Sequence, residues 1–337
     1  MNDGAVRRIG VTLGDPNGIG PEIAVKAALA EADARLLLIG DPKVVQHYAA
    51  GRAVREVDPA SPPPAEPGVI DLVPVRSLPG DAFAPGRCDA ASGRAMVAYT
   101  ERAVTMAHAG QIDAIVGGPH HEGAVHAAGV PFSGYPSLIA RLSGAQSDAV
   151  FLMLVGGGLR IVHATLHERL ADALERLDTG LVVAAAQAAD GALRRLGILQ
   201  PRIGLFGINP HASEDGLFGD DDARVTIPAA AALRRYGLDV VGPTGADLIL
   251  ARDDCDAFVA AYHDQGHIPI KLLAGREATA LTIGADLIFA SVGHGSAPDI
   301  AGRDIADPSA MLRAVKLIAT TGHPAEHARP TVTGAMT

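Results

Sequence analysis

The chain has 337 residues, of which 48% are hydrophobic and 4% aromatic, and its formal net charge at pH 7 is −10. This length allows two α/β domains with ample core, whereas the negative charge argues against a general nucleic-acid or membrane-surface binder. Two cysteines are too few for a disulfide framework or a cysteine zinc site. No apolar run is long enough to span a membrane and no signal-peptide pattern opens the chain, so we expect a soluble cytoplasmic protein.

The first elements are predicted to be a strand over 8–13, a glycine-rich loop over 14–20 and a helix from Pro21 to Leu29. Proline at the first helical position and Glu22 in the first turn favour a helix start. The loop lacks both the dinucleotide-binding glycine pattern and the Gly-Lys-Ser/Thr of a P-loop. Two interpretations remain open, which are anion binding at the helix N-terminus and a tight strand-to-helix turn.

The rest of the chain alternates strands and helices, which is typical of an α/β fold. Further strands are predicted over 36–39, 69–75, 112–117, 149–155, 159–163, 203–208, 257–261, 280–283 and 287–291. Helices are predicted over 92–109, 168–176, 179–196, 222–236 and 308–320, and the proline-rich segment 58–68 is predicted to be a surface connection.

Histidines are concentrated where predicted strands end. His167, His211 and His263 lie in segments of similar make-up, separated by 44 and 52 residues, which excludes a local metal-binding motif. Three converging imidazoles with an open coordination position would suit a catalytic Zn²⁺ or another divalent ion. Each histidine taken alone is more often a capping or structural residue. Of the neighbouring pair, we interpret His167 as the ligand and His163 as structural.

The stretch 262–271 follows the predicted strand 257–261 and so lies at the carboxyl end of a strand, where open α/β sheets bind ligands. His263 and Asp264 can offer a nitrogen and an oxygen to a metal. Lys271 follows an apolar Ile-Pro-Ile run, so we expect a partly desolvated ammonium that suits a catalytic acid or a carboxylate clamp, although a surface lysine is also consistent. Asp264 and Asp247 are candidate carboxylates beside the metal or acceptors for substrate hydroxyls, and Asp247 is equally consistent with a helix N-cap.

A serine hydrolase is not favoured, because no G-x-S-x-G pattern is present, and the missing P-loop argues against a P-loop kinase. The segment Gly293–Ala297 has the right residue types in the wrong order for a nucleophile elbow. It is better interpreted as a flexible cofactor loop.

Four segments resemble the 4-hydroxythreonine-4-phosphate dehydrogenase family, in the family's order: GDPNGIGPE at 14–22, NPHA at 209–212, YHDQG at 262–266, and VGHG with DIAG within 292–302. The resemblance implies a fold like that of isocitrate and isopropylmalate dehydrogenases, with two α/β domains flanking a cleft. We place a discontinuous domain on the NAD side at 1–130 with 278–337, and a second domain, with the metal ligands and the dimer interface, at 131–277.

The same resemblance implies NAD, one divalent metal that is commonly zinc, and a homodimer with active sites at the interface. The family's metal histidines fall on His167, His211 and His263. Its acidic substrate positions fall on Asp247 and Asp264, and its substrate lysine falls on Lys271.

The family's phosphate-binding positions are replaced in this chain. Its His-Thr pair is Tyr135-Pro136 here, its Asn and Arg fall on Ala280 and Phe289, and its lysine is Glu122. A phosphate dianion needs several donors and preferably an arginine fork. The sequence therefore argues against a phosphorylated substrate.

A narrower match is carried by PHHE at 119–122, FSGYPSL at 132–138, FLMLVG at 151–156 and the segment 263–273. These closely resemble the terephthalate dihydrodiol dehydrogenases, a branch of the same family. The resemblance implies NAD-dependent oxidation and decarboxylation of a cis-dihydroxycyclohexadiene-1,4-dicarboxylate to 3,4-dihydroxybenzoate, CO₂ and NADH. The alternatives are a dehydrogenase for 4-phosphohydroxythreonine or a related four-carbon phospho-hydroxy acid, and a metal-binding protein without turnover.

Hypotheses for the pocket follow from the aligned positions. Lys271 is the candidate proton donor or acceptor, with Asp264 and Asp247 orienting it or sharing protons. Donors to the remaining carboxylate and neighbours of the ring are expected among six residues, and NAD contacts are expected in the 293–302 loop. The six are Tyr135, Ser133, Ser291, Phe289, Pro136 and Ala280, and the NAD residues are Gly293, His294, Gly295 and Asp299.

Overall fold

The computed structural model describes residues 6–30 and 33–319. These residues divide into two compact units. Unit 1 contains the described residues up to Ala145 together with those from Ala285 onward, and unit 2 runs from Gln146 to Gly284. The domain boundaries expected from the sequence, 130/131 and 277/278, lie earlier along the chain at both junctions.

The described part of unit 1 contains a parallel sheet of six strands. They are β1 (Arg7–Thr12), β2 (Ala34–Gly40), β3 (Val54–Glu56), β4 (Ile70–Pro74), β5 (Ala114–Gly117) and β12 (Phe289–Ser291). Their spatial order is β3-β4-β2-β1-β5-β12, and Ile9 of β1 lies opposite Leu36 of β2 and Ala114 of β5. Strands covered on both faces need almost continuous apolar runs, which β2 and β5 supply with LLLI and AIV.

Helices accompany this sheet, and α3 packs on β1, β2 and β5. The helices are α1 (Gly20–Leu29), α2 (Pro42–Ala49), α3 (Ala90–His108), α4 (Glu122–Ala127), α5 (Tyr135–Ser143) and α12 (Ser309–Ala319). α3 begins with a capping box, because Asp89 accepts hydrogen bonds from the backbone of Ala91 and Ser92 while the Ser92 hydroxyl accepts from the Asp89 backbone.

The glycine-rich loop before α1 is buried, and the backbone N–H groups of Asp15, Asn17, Gly18 and Ile19 donate within the chain. Asp15 donates its N–H to Pro119, Gly18 to Asp15 and Ile19 to Ser296. Asn17 fastens the loop to the segment after β4 by donating its side-chain amide to Ala82 and Arg87. Of the two interpretations of this loop, the structure favours the tight turn, because these amides have no capacity left for an anion.

Unit 2 contains a mixed sheet in the order β11-β6-β7-β10-β8-β9. Its strands are β6 (Phe151–Gly156), β7 (Leu159–His163), β8 (Arg202–Phe206), β9 (Asp239–Thr244), β10 (Ala257–Ala260) and β11 (Thr279–Ile283). β6 pairs antiparallel with β7 and β11, while β7, β10, β8 and β9 are parallel neighbours. Gly157 and Gly158, both with positive φ, form the two-residue turn between β6 and β7.

The helices of unit 2 are α6 (Leu170–Arg176), α7 (Thr179–Arg195), α8 (Asp221–Arg224), α9 (Thr226–Arg235), α10 (Ala246–Ile249) and α11 (His263–Ala274). The core between α11 and the sheet is built around Ile161, Phe206, Phe258 and Ile270. This core fixes α11 against the carboxyl end of β10, which brings the chemically active residues of α11 to that edge of the sheet.

The α/β class predicted from the sequence is confirmed, and most predicted strands and helices are found within two or three residues of their expected bounds. The sequence did not predict α2, α4, α5, α10, α11, β3 or β9. The predicted helix over 222–236 is two helices, because Val225 leaves the helical region with φ −120° and ψ −68°. The last residue of the predicted 308–320 helix lies outside the described residues. No helix in the described part of the chain is both long and apolar enough to cross a membrane.

Candidate active site

α11 aligns three polar side chains on one face. His263, His267 and Lys271 are spaced by four residues, which places them along the same side of a helix. The adjoining face, which packs on the sheet, carries Gly266 and Ile270, both buried. Glycine is required at 266 because a Cβ there would lie 2.4 Å from Nε2 of His163, so this position allows the helix to approach β7 closely.

Four histidines cluster at the end of β7 and the start of α11. His163 is 1% exposed, and its Nδ1 lies 3.2 Å from the carbonyl oxygen of Leu152. Its Nε2 lies 2.9 Å from Nδ1 of His267. The His267 ring stacks on the His263 ring at a centroid distance of 3.8 Å, and the His167 ring lies 5.5 Å from the His263 ring.

The hydrogen bonds determine the tautomers of two of these rings. The Leu152 carbonyl only accepts, so Nδ1 of His163 must donate. Burial lowers the pKa of His163 to about 3, and burial together with His263 lowers the pKa of His267 to about 4, so both rings are neutral near pH 7. Nε2 of His163 therefore accepts from Nδ1 of His267, which leaves the Nε2 lone pair of His267 unprotonated. His163 is a buried, structural member of this cluster, as expected from the sequence. His267 is a further member, for which the sequence predicted no role.

His263 has a carboxylate partner next to it in the sequence. Its Nδ1 lies 2.6 Å from Oδ1 of Asp264, whose side chain is exposed. When the imidazole is neutral, this contact places its proton on Nδ1 and leaves Nε2 available to a metal. Carboxylate–histidine pairs of this kind orient metal ligands and raise their basicity.

His211 and Asp247 lie near each other in another part of unit 2. His211 is exposed and belongs to the turn Pro210–Gly216 after β8. A Cβ built on Gly245 would lie 2.8 Å from Oδ1 of Asp247 and 3.5 Å from the backbone nitrogen of His211. Asp247 is exposed within α10, whose N-cap is Gly245, so Asp247 does not have the alternative role of an N-cap.

The donor set of this region suits zinc, but one chain gathers only part of it. Two imidazoles on one tetrahedral ion have ring centres about 5 Å apart when the metal–nitrogen distance is about 2 Å, and the 5.5 Å between His167 and His263 matches this. Within residues 6–30 and 33–319, no group of three or more His, Cys, Asp or Glu side chains is arranged to hold a metal ion. His211 therefore does not join the other two histidines inside one chain.

A cavity of about 270 Å³ lies beside His167 and His263. Its volume is near the lower end of the range for small-molecule sites, about 300–1,000 Å³. Its wall combines apolar and polar side chains, and besides the two histidines it contains Leu166, Leu170, Ala173, Glu168, Tyr262 and Asp264. Lys271 is exposed at the far end of the α11 face. The expectation of a partly desolvated ammonium is wrong for the single chain, because Ile270 occupies the buried position and the helix turns Lys271 towards solvent.

The aligned substrate positions of unit 1 form an aromatic cluster. Tyr135 and Phe289 are 3% and 0% exposed, and their rings lie 4.6 Å apart. The Tyr135 hydroxyl donates to the carbonyl oxygen of Gly118 at 2.6 Å, and burial raises the pKa of this phenol. His120 packs edge-on against Tyr135 at 5.1 Å and against Phe132 at 4.7 Å. The Tyr135 hydroxyl is thus already used within the chain.

The other predicted positions are more open. In unit 1, Ser133 is exposed, Pro136 lies half-buried in the first turn of α5, and Ser291 lies half-buried at the end of β12. In unit 2, Ala280 lies half-buried in β11. The loop expected to contact NAD exposes Gly293, His294, Gly295 and Asp299.

Comparisons with known proteins agree with the sequence motifs. Residues 32–318 match the family model described as pyridoxal phosphate biosynthetic protein PdxA. The chain is 47% identical over 315 residues to the 1,2-dihydroxy-3,5-cyclohexadiene-1,4-dicarboxylate dehydrogenase of Comamonas sp, covering 93% of this chain and 97% of that protein.

Two solved structures were each matched over 94% of this chain and 98% of their own chain. A terephthalate 1,2-cis-dihydrodiol dehydrogenase from Burkholderia xenovorans LB400 is 50% identical with a TM-score of 0.77, and a 4-hydroxythreonine-4-phosphate dehydrogenase from Burkholderia phymatum is 39% identical with a TM-score of 0.85. The family resemblance deduced from the motifs is confirmed, and the relatives are dehydrogenases by name. The chain belongs to the PdxA family.

Proposed function

We propose that this chain is an NAD- and metal-dependent dehydrogenase that oxidises and decarboxylates a cis-dihydrodiol dicarboxylate, the terephthalate dihydrodiol, to 3,4-dihydroxybenzoate, CO₂ and NADH. The observation that carries the proposal is the aromatic cluster at the aligned phosphate positions. Phe289 is fully buried and the Tyr135 hydroxyl is bonded to Gly118, so neither offers the donors that a phosphate dianion needs. The 47% identity to the Comamonas dehydrogenase supports the same substrate.

The residues that would hold the metal are His167, His211 and His263. The contact with Asp264 would keep a proton on Nδ1 of His263 and leave Nε2 available to the ion. His267 stacks on the His263 ring and is itself held in place by its hydrogen bond to His163. When bound, the divalent ion supplies a Lewis acid for the substrate oxygens and NAD supplies the hydride acceptor.

The reaction balances without a further oxidant. Loss of a hydride and the hydroxyl proton from the carbinol group gives a β-keto acid, which releases the adjacent carboxylate as CO₂. A proton returned to the ring oxygen leaves the aromatic product. Lys271 is suited to hold a substrate carboxylate or to move this proton, because it lies on the same face of α11 as His263. We place Asp264 and Asp247 beside it as carboxylates that orient the substrate hydroxyls or share the proton.

We assign the remaining substrate contacts and the NAD contacts to the aligned positions. Ser133 and Ser291 are more accessible donors for the second carboxylate than Tyr135, which we now assign to shaping the pocket. Pro136, Ala280 and Phe289 would border the ring. The exposed glycines of the 293–302 loop admit a close approach, and the exposed Asp299 carboxylate suits ribose hydroxyls.

A homodimer would complete the metal site. Because one chain does not bring His211 to His167 and His263, we propose that a second copy supplies the missing imidazole across the interface. α11 carries a suitable contact surface beside the polar face, with Ile268, Leu272 and Leu273 exposed by 54%, 81% and 50%. Apolar side chains exposed together in this way mark interaction sites. The cleft between isocitrate dehydrogenase-like domains and the cytoplasmic location stay predictions.

The alternative is a 4-hydroxythreonine-4-phosphate dehydrogenase or a dehydrogenase for a related phospho-hydroxy acid. The likeness to the Burkholderia phymatum structure supports this alternative. Purified protein with NAD and Zn²⁺ should produce NADH and CO₂ from the dihydrodiol dicarboxylate and should be nearly inactive with 4-phosphohydroxythreonine. NADH formation from the phosphate ester alone would overturn the proposal. Activity with neither compound would favour a metal-binding protein without turnover.

A further inference from the structure

The turn that carries His211 has an unusual backbone. Five consecutive residues adopt positive φ: His211 (53°), Ala212 (53°), Ser213 (69°), Glu214 (40°) and Asp215 (55°). None of them is glycine, and left-handed conformations are disfavoured for every L-residue with a Cβ. Such a conformation persists only where the surrounding structure determines it by additional contacts, and it is typical of functional sites.

One buried carboxylate bonds both to this turn and to the residues that precede it. Asp222 is 0% exposed, and it lies eleven residues after His211 in α8. Its Oδ1 accepts from the Ile208 backbone at 2.8 Å and from the Thr226 hydroxyl at 2.6 Å. Its Oδ2 accepts from the Asn209 backbone at 3.1 Å and from the Ser213 hydroxyl at 2.7 Å.

These four bonds connect residues that precede His211 in the chain to residues that follow it. Ile208 and Asn209 precede the histidine, Ser213 lies inside the left-handed turn, and Thr226 belongs to α9. Asp222 thus stabilises the position at which the chain enters the turn and the left-handed backbone conformation of the turn. The His211 side chain itself remains exposed. Only a carboxylate can accept at both oxygens from donors on both sides, since an amide would turn an NH₂ group against two of them.

We infer that Asp222 is a positioning residue for His211, setting the backbone from which the imidazole reaches the metal. This inference rests on the proposed role of His211 as a ligand. Residues that orient metal ligands without touching the ion commonly change metal affinity by about 10- to 100-fold when they are replaced.

The test compares metal binding in the full-length variants Asp222→Asn, Ser213→Ala and Glu214→Gln with the wild type, by titration with Zn²⁺ and by the visible spectrum of the Co²⁺-loaded protein. Asp222→Asn should lower metal affinity by about 10- to 100-fold and alter the Co²⁺ spectrum. Ser213→Ala should shift both properties less, in the same direction. Glu214→Gln lies in the same turn with an exposed side chain and should leave them unchanged.

A purely structural Asp222 would lower the melting temperature of Asp222→Asn but keep the wild-type affinity and Co²⁺ spectrum in the folded protein, and this result would overturn the inference. If Asp222→Asn does not fold, Ser213→Ala decides the question, and unchanged metal binding in that variant overturns it. His211→Ala distinguishes the ligand role of His211 from the positioning role of Asp222. Wild-type metal affinity in His211→Ala removes the ligand assignment itself, whereas its loss, together with unchanged binding in Asp222→Asn, removes only the role of Asp222.

Discussion

Replacing Tyr135 with phenylalanine should lower the free energy of unfolding and leave substrate binding unchanged. The substitution deletes one buried O–H···O bond of 2.6 Å between the phenol and the Gly118 carbonyl. It keeps the ring, and therefore the contacts with Phe289 at 4.6 Å and His120 at 5.1 Å. The loss is confined to a single hydrogen bond within unit 1.

The magnitude follows from the burial of that bond. A neutral hydrogen bond contributes about 0.5–1.5 kcal/mol net, and a buried carbonyl left without its donor costs about 1–3 kcal/mol. We therefore expect the free energy of unfolding to fall by about 1–2 kcal/mol. If the phenol instead donated to a substrate carboxylate, its removal would cost about 1.5–3 kcal/mol of binding, which is roughly a 10- to 100-fold loss in kcat/KM.

Urea unfolding and steady-state kinetics with the dihydrodiol dicarboxylate distinguish these outcomes. Tyr236→Phe is the matched control, because the Tyr236 side chain is 66% exposed and its change should stay within about 0.5 kcal/mol. A Tyr135→Phe protein with wild-type stability and a tenfold lower kcat/KM would refute the reasoning from the Gly118 contact.

Two further predictions concern the cluster at α11. Burial lowers the pKa of His163 to about 3 and of His267 to about 4, so the unfolded chain, with histidine pKa values near 6.5, takes up protons that the folded chain excludes. The free energy of unfolding of the metal-free protein should therefore fall as pH drops from about 6.5 towards 4, by up to about 1.4 kcal/mol per pH unit for each imidazole. Urea unfolding measures this free energy, and a value that stays constant between about pH 7 and pH 5 would contradict the prediction. Leu272→Asp places a charge on the exposed apolar surface of α11 and should shift the protein from dimer to monomer in sedimentation experiments, with loss of bound metal. An unchanged dimer would move the interface elsewhere.

Local sequence signals predicted much of the fold. Pro21 and Glu22 marked the start of α1, and the apolar runs marked most of the strands. α11 was not predicted, because Gly266 and Pro269 both weaken helix propensity. The helix forms because Gly266 lets it pack against His163, a contact between residues 103 positions apart that no local pattern encodes.

The candidate site was predictable in its residue types but not in its contacts. Their position after predicted strands and the motif resemblance both selected His167 and His263, and the structure places their rings 5.5 Å apart. His267 could have been found from its four-residue spacing to His263 once a helix was assumed. The partner of Tyr135 was not predictable, because a phenol can donate to substrate or to protein, and its acceptor is a backbone carbonyl 17 residues away. The left-handed turn at His211 was also not predictable from the sequence, because none of residues 211–215 is one of the glycines that usually indicate positive φ.

The division of the chain also constrains the order of events during synthesis. Within the described residues, unit 2 is one continuous segment from Gln146 to Gly284, whereas unit 1 is interrupted by it and receives β12 and α12 only afterwards. Because domains fold as units while the chain emerges from the ribosome, unit 2 can be complete while β5 still lacks its parallel neighbour β12. An unpaired strand edge invites pairing with other chains. The nascent protein is therefore most exposed to aggregation in the interval between translation of β5 and of β12, and any delay in synthesising unit 2 prolongs that interval.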